Sequence, residues 1–337
     1  MVGTYCKEAF DSRFGQGDAF SGGGSGYVMS HRQVTPLAGV KERFPNSVVT
    51  WGASAAAARG ADVAVVCAAA HAEEGWDRAN LTLPEAESLV AALKQQTPST
   101  KVVVLAIAPG PITAEWVAAA DAALLLFAPG EQVGGAAADL LSGAAYPGGR
   151  LPVSLPHRLE HRFTKEQYPG TPFNDVNMTT HWSEGVLVGY RWNDAKEQTA
   201  AFPFGFGLGY TTFEFRNVHV TCDPIRESAT VSLTVANTGG AAGAAVPQVY
   251  VGFASLAPAL RQLRGFRKVH VEAGGEATVS FELGSEDWST WDEQAGRWRS
   301  AVRSGEPIQV LVGSSSADLP WFKVLPFQEA DPSVVMQ

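Results

Sequence analysis

Apolar and polar positions along the chain follow two different periods, and the changeover falls near residue 212. In the earlier part, Ala61–Ala70 (ADVAVVCAAA), Lys101–Ala108 (KVVVLAIA) and Ala122–Phe127 (AALLLF) are near-continuous apolar runs of strand length. Runs of that kind mark strands buried on both faces of a parallel sheet. Helical patterns lie around them over Pro36–Arg43, Ala53–Ala58, Pro84–Gln96, Ala114–Ala120 and Glu131–Ser142, and Ser47–Trp51 reads as a further strand. This alternation predicts a parallel sheet covered by helices on both faces, with right-handed connections.

After Pro156 the pattern lapses. Residues 157–200 form a long excursion with little period, and Phe202–Tyr210 (FPFGFGLGY) alternates aromatics with glycines, as a packed boundary segment would. Long ordered excursions of this kind are often functional or lie between domains. From residue 212 the period becomes two. Val231, Leu233 and Val235 alternate with polar residues, as do Val249, Val251 and Phe253; Val279, Phe281 and Leu283; and Ile308, Val310 and Val312. Turn signals at 237–240, 273–275 and 304–306 separate them, which predicts a β-sandwich. The expected organisation is a linker or tail at 1–20, an α/β domain at 21–211 that includes the excursion, an all-β sandwich at 212–325, and a tail at 326–337.

Composition narrows the function classes. The 337 residues are 45% apolar and 18% charged, ample for two domains. Net charge is −9 and no Lys/Arg run occurs, so nucleic acid is not an expected partner. No run of about 18 apolar residues suggests a membrane span, and the first residues show no apolar signal-peptide core. Cys6, Cys67 and Cys222 are too few and too unevenly placed for a disulfide framework. Cys67, inside an apolar strand, reads as a small core residue, which leaves a Cys6–Cys222 bridge open. No spacing of Cys or His suits a metal, and no cofactor is implied. Sequons stand at Asn80 and Asn177.

Two stretches carry candidate chemistry. Ser21–Gly26 (SGGGSG) resembles a phosphate loop only superficially: the glycine spacing fails at Tyr27 and Met29, and neither Gly-Lys-Ser/Thr nor a leading strand is present. The nucleophile-elbow pattern also fails at Tyr27. The stretch reads as a loop that lets backbones approach closely. Glu73-Glu74-Gly75-Trp76-Asp77-Arg78 is more informative. It follows the Ala61–Ala70 strand and precedes the Pro84 helix, so it belongs at a strand's carboxyl end, where open α/β sheets hold their ligands.

Further motifs recur in a fixed order: GGGSG at 22–26, Thr35-Pro36-Leu37, the ADVAVV strand, Glu74-Gly75 with Asp77-Arg78, and Asn80-Leu81-Thr82-Leu83. Pro129-Gly130, Gly134-Gly135, Ala138-Asp139-Leu140, Gly149–Val153, Glu184-Gly185, Val188–Arg191 and Phe202–Phe213 follow. The series resembles the carboxyl-terminal half of glycoside hydrolase family three, the β-glucosidase and exo-glucanase family. The resemblance implies an α/β sandwich followed by a fibronectin-III-like domain, in agreement with the periods. It implies retaining hydrolysis of terminal non-reducing β-D-glucosyl residues, which needs two carboxyl groups about 5–5.5 Å apart.

By this resemblance Glu74, followed by Gly75 and Trp76, is the general acid/base. Glu73 is its rival, since it stands where the family has a glycine. A neighbouring carboxylate would raise the pKa of whichever is buried, as suits a general acid. Trp76 is expected as a sugar platform, and Asp77 and Arg78 as a loop-bracing pair with possible substrate contact. The family's nucleophile is an aspartate of a preceding barrel domain. Asp62, Asp121 and Asp139 here read as structural, so the nucleophile is absent, and a barrel in cis or trans is the implied partner, with a β-glucoside or oligosaccharide as substrate. The chain alone is expected to be inactive. A non-catalytic carbohydrate-binding or scaffold module is the alternative. The absent barrel should leave an apolar face near residues 20–30 and 71–80. Family members are often secreted, which favours that location.

Overall fold

The computed structural model describes residues 1–7, 20–28, 30–75, 78–158, 183–256, 260–325 and 327. The chain divides into two compact units, Met1–Ala145 with Leu155–Thr180, and Tyr146–Ser154 with His181–Gln337.

The first unit is built on a parallel sheet of β1 (Val63–Ala69), β2 (Lys101–Ile107) and β3 (Ala122–Leu126), in the order β1-β2-β3. The three apolar runs are these strands. One face carries Ala64, Val66, Ala68, Val102, Val104 and Ala106 against α2 (Pro84–Gln96). That helix turns Ala86, Leu89, Val90 and Leu93 inward at the i, i+3, i+4, i+7 spacing of a single apolar stripe. Each fully buried leucine contributes about 1.5–3 kcal/mol. The other face carries Cys67 and Leu105 against α1 (Pro36–Arg43) and α3 (Val133–Ser142). These two helices meet glycine to glycine: a Cβ at Gly39 would collide with the Gly134 carbonyl, and one at Gly134 with the Thr35 carbonyl. Both faces of the sheet are therefore covered, as its apolar strands require. The Ala53–Ala58 and Ala114–Ala120 patterns are realised as short 3-10 turns, Ala55–Ala58 and Glu115–Ala119.

Residues 1–7 are not a tail. Val2 bridges β1 at Val66 and pairs on its other side with Gly52. The Val2 N–H donates to the Val65 carbonyl at 2.8 Å, and the Cys67 N–H to the Val2 carbonyl at 2.9 Å. Val2 and Cys6 are fully buried. The segment is too short to show a period, but the unpaired edge of β1 offers it a ladder. Cys6 is bonded to Cys67, with Cα atoms 5.0 Å apart, and Cys222 is free. The strand cysteine is thus a disulfide partner rather than a simple core residue, and the Cys6–Cys222 pairing does not occur.

At the amino ends of β2 and β3, Asp121 accepts from Lys94 Nζ at 2.7 Å, Lys101 Nζ at 3.0 Å and the Val102 N–H at 2.9 Å. The Lys94 hydrogen bond, then those of Val102 and Lys101, hold its carboxyl far below the usual range. A depressed folded-state pKa gives stability that is present above the unfolded value near 4 and lost as pH falls below it. Asp121→Asn is therefore expected to destabilise the first unit at pH 7, with the difference closing below about pH 4 in urea titrations. A gap that persists unchanged at pH 2 would contradict this.

The second unit is antiparallel throughout. One sheet has the order β10-β5-β4, from β4 (Phe213–Asp223), β5 (Ser228–Asn237) and β10 (Glu276–Leu283). The other has the order β14-β13-β7-β8, from β7 (Gln248–Gly252), β8 (Gln262–Phe266), β13 (Ile308–Gly313) and β14 (Trp321–Leu325). Their alternating residues Val231, Leu233, Val235, Val249, Val251, Val279, Phe281, Val310 and Val312 share one core with Trp288. Two short ladders, β6 (Gly243–Ala245) with β9 (Val269–Val271) and the hairpin β11 (Ser289–Asp292) with β12 (Arg297–Ser300), complete it.

On β7 the alternation hides a second buried face. Tyr250 is fully buried, and its hydroxyl donates to Gln248 Oε1 at 2.7 Å. Gln248 Nε2 in turn reaches the Gly205 and Ser314 carbonyls. Tyr190 on α4 (Tyr190–Ala195) stacks on Phe204 at 5.0 Å and meets Tyr250 edge-on at 5.8 Å. The aromatic and glycine run at 202–210 is thus cladding for this sheet, and Gly205 (φ +81) has no room for a Cβ beside Gln248.

Candidate active site

The carboxyl ends of β1, β2 and β3 open on a cavity of about 290 Å³, at the small end of ligand pockets. Ala70, His71, Ala72, Glu73 and Glu74 line it after β1, Pro109 after β2, and Ala128 after β3; Ser21, Gly22 and Gly23 close the remaining side. The acidic loop therefore lies where its position after an apolar strand predicts. Trp76 and Asp77 lie outside the described residues.

The Gly-rich turn is held at both ends. Phe20, fully buried, packs with Ile107 and Val133, and its carbonyl accepts from the Gly130 N–H at 2.9 Å. Beyond the turn, the Val34 N–H donates to the Glu131 carbonyl at 2.8 Å, and the Ser30 hydroxyl to Glu131 Oε2 at 2.9 Å. Between these anchors the backbone is pressed against the acidic loop. Gly23 forms a parallel bridge with Glu73. A Cβ at Gly23 would strike the Glu73 carboxylate, and one at Gly24 would strike Glu74 Cβ. Gly22 and Gly24 also have φ of +75°, which favours glycine. Close backbone approach is thus the structural reason for the glycines.

The two glutamates are held differently. Glu73 is half-hidden, and its Oε2 lies 3.7 Å from Nε2 of His71, whose side chain is only 1% exposed. Glu74 is exposed, and its Oε2 accepts from the Ser25 N–H at 2.7 Å. Hydrogen bonds from the Ser25 side chain and backbone hold the Glu74 carboxyl below its ordinary range. This reverses the rise expected from a buried neighbour: water bathes the group, and donors favour its ionised form. His71 escaped sequence reasoning, although a histidine two residues past an apolar strand was a visible signal.

Arg78 Nη2 donates to the Pro111 carbonyl at 2.9 Å, which ties the acidic loop to the segment after β2. Asn80 Oδ1 accepts from the N–H and hydroxyl of Thr82, a local turn that aims Leu81 and Leu83 into the core. Asp121 is structural, as described, and Asp139 pairs with Arg43 at 3.5 Å on the outer side of α3. Among the described residues no aspartate lines the cavity. No group of His, Cys, Asp and Glu among them could hold a metal ion, and no helix is long and apolar enough to cross a membrane. Of the apolar face expected near the site, Val28 is the exposed large side chain among the described residues.

Comparison with known proteins agrees with this architecture. Residues 3–210 match the glycosyl hydrolase family 3 C-terminal domain, and residues 245–316 the fibronectin type III-like domain. The chain is 33% identical over 95% of its length to beta-glucosidase cel3A of Pyricularia oryzae, covering 43% of that protein. It is 34% identical over 78% of its length to thermostable beta-glucosidase B of Acetivibrio thermocellus, covering 35% of it. Among solved structures it superposes on beta-glucosidase D2-BGL of Chaetomella raphigera with a TM-score of 0.78 at 27% identity, over 90% of this chain and 46% of that one. The Kluyveromyces marxianus beta-glucosidase in complex with glucose gives 0.71 at 31% identity, over 80% and 32%. The chain thus spans less than half the length of these relatives. With the parallel α/β sheet, the antiparallel sandwich and the ordered motifs in agreement, this chain belongs to glycosyl hydrolase family 3, of which it carries the C-terminal domain and a fibronectin type III-like domain.

Proposed function

We propose that this chain supplies the general acid/base, Glu74, of a retaining β-glucosidase acting on terminal non-reducing β-D-glucosyl residues, while a barrel domain in cis or trans supplies the aspartate nucleophile. The observation that carries this reading is Glu74-Gly75 after the carboxyl end of β1, with Glu74 lining the strand-end cavity of about 290 Å³. In such a cycle one carboxyl protonates the departing oxygen and then activates water, and a second, about 5–5.5 Å away, attacks the anomeric carbon. Trp76 would stack on the pyranose, and Asp77 and Arg78 would shape the loop beneath it, Arg78 through Pro111. Glu73 remains the rival acid/base, with His71 beside it.

The test is hydrolysis of a chromogenic aryl β-glucoside by the pure chain, and by the chain mixed with a barrel domain from a relative. No turnover alone and turnover on mixing is the expected result. Turnover by the pure chain would place a nucleophile within it and overturn the division of labour. A second reading, a non-catalytic carbohydrate-binding module, is favoured by one observation: Glu74 is exposed and accepts from the Ser25 N–H, which lowers its carboxyl, the wrong direction for an acid. Glucoside binding with no turnover under any mixing would select it. The Cys6–Cys67 disulfide supports an oxidising compartment such as the secretory route.

A further inference from the structure

The turn at 22–26 has a geometry that goes beyond filling space. Two of its four glycines, Gly23 and Gly24, allow the backbone to lie directly on Glu73 and Glu74, where a Cβ would collide. This brings the Ser25 N–H to 2.7 Å from Glu74 Oε2, across 49 residues of sequence. Anchors at Phe20 and Glu131 hold the turn in place from both ends.

We propose that Ser25 is a positioning residue for Glu74: its backbone N–H, 2.7 Å from Oε2, grips the carboxylate and fixes the rotamer in which it faces the cavity rim. The inference rests on the reading of Glu74 as acid/base. A donor on the carboxylate favours its acceptor-only form, and the Ser25 hydroxyl acts in the same sense, lowering the Glu74 carboxyl. That form is the one the water-activating half of a retaining cycle uses, so the grip pre-sets Glu74 as base. Its service as acid then requires the contact to be loosened or outweighed when the site is covered. Among the described residues, the titratable neighbours are Glu73, adjacent in the chain, and His71, whose Nε2 lies 3.7 Å from Glu73 Oε2.

The experiment is NMR on this chain, following the Glu74 side-chain carboxyl carbon and the Ser25 amide across pH. The expected result is that both report one titration, below the usual carboxylate range, and that Glu74→Gln removes it from the Ser25 amide. Ser25→Ala should move the Glu74 titration upward, and Ser25→Thr, which keeps the hydroxyl, should restore it. A purely structural role would not move that titration. A Ser25 amide that ignores Glu74, or a Glu74 titration equal in wild type and Ser25→Ala, overturns the proposal; the wild-type amide decides even if a variant does not fold. Failure of the acid/base reading is seen elsewhere, as full turnover by Glu74→Gln mixed with a barrel domain, so the two failures are distinguishable.

Discussion

Glu74→Gln, assayed with a family barrel domain present, is expected to lower kcat/KM on a β-glucoside by about 10²–10⁴-fold, the range of a lost general acid or base. The loss should depend on the leaving group. A poorly activated aglycone needs its oxygen protonated as the bond breaks, so an alkyl glucoside should lose more than a nitrophenyl glucoside. Glutamine keeps the shape and can still accept from the Ser25 N–H, so the loop should stay in place and the loss should fall on chemistry. The pH dependence follows from the environment. In the isolated chain the Ser25 side-chain and backbone hydrogen bonds hold the carboxyl low, and the group is exposed. A general acid works best with a pKa near the working pH. Covering the rim with a barrel removes water from Glu74 and penalises its charged form, moving its titration upward. The alkaline limb of the pH profile of the assembled enzyme should therefore lie above the titration of Glu74 in the chain alone. Activity that survives Glu74→Gln but falls in Glu73→Gln would transfer the role to Glu73.

Removing the Cys6–Cys67 bond should be the largest single change in stability. The bridge closes a loop with a sequence separation of 61, for which the loss of unfolded-chain entropy corresponds to about 4 kcal/mol. Cys6→Ala with Cys67→Ala should lower the unfolding free energy of the first unit by that amount, seen as a lower denaturant midpoint, while leaving the second unit's transition in place. Cys222→Ser, a change at the free cysteine of β4, should not move the first unit. Reductant should reproduce the double variant. The effect reaches the site because residues 1–7 complete the edge of β1, and β1 leads directly into the acidic loop. Fraying there should raise amide exchange at Val2 and at residue 67, whose N–H groups make this ladder, before it appears in β2. A double variant as stable as wild type would show that the pairing of Val2 with β1 holds without the bond.

Much of the molecule was legible in local pattern. The three apolar runs pointed to strands of a covered sheet, because exposing a long apolar run is costly; β1 and β2 are largely buried, whereas β3 is only partly so. The stripe Ala86, Leu89, Val90, Leu93 could only be one face of a helix. The period of two from residue 212 led to the antiparallel sandwich, and the place of Glu73 and Glu74 after β1 led to the strand-end cavity. What period cannot encode is which distant segments meet. Residues 1–7 carry no repeat, yet they fill the edge of β1, and only that pairing brings Cys6 within bonding reach of Cys67. Val249 and Val251 announced one buried face of β7; the other exists because Tyr190 and Phe204 come to lie on Tyr250. Glu74 in sequence has Glu73 as its neighbour, but in space its partner is Ser25, which reverses the expected direction of its titration. By itself the sequence determined the three parallel strands, the helices at 36–43 and 84–96, the two folds and the position of the acidic loop, because each depends on apolar burial within a few turns of chain; the strand expected at Ser47–Trp51 carries too few apolar positions to form and is not present. The tertiary structure alone decided the disulfide, the cladding of β7 and the hydrogen-bond partner of the candidate acid/base, because each depends on a contact made across tens of residues.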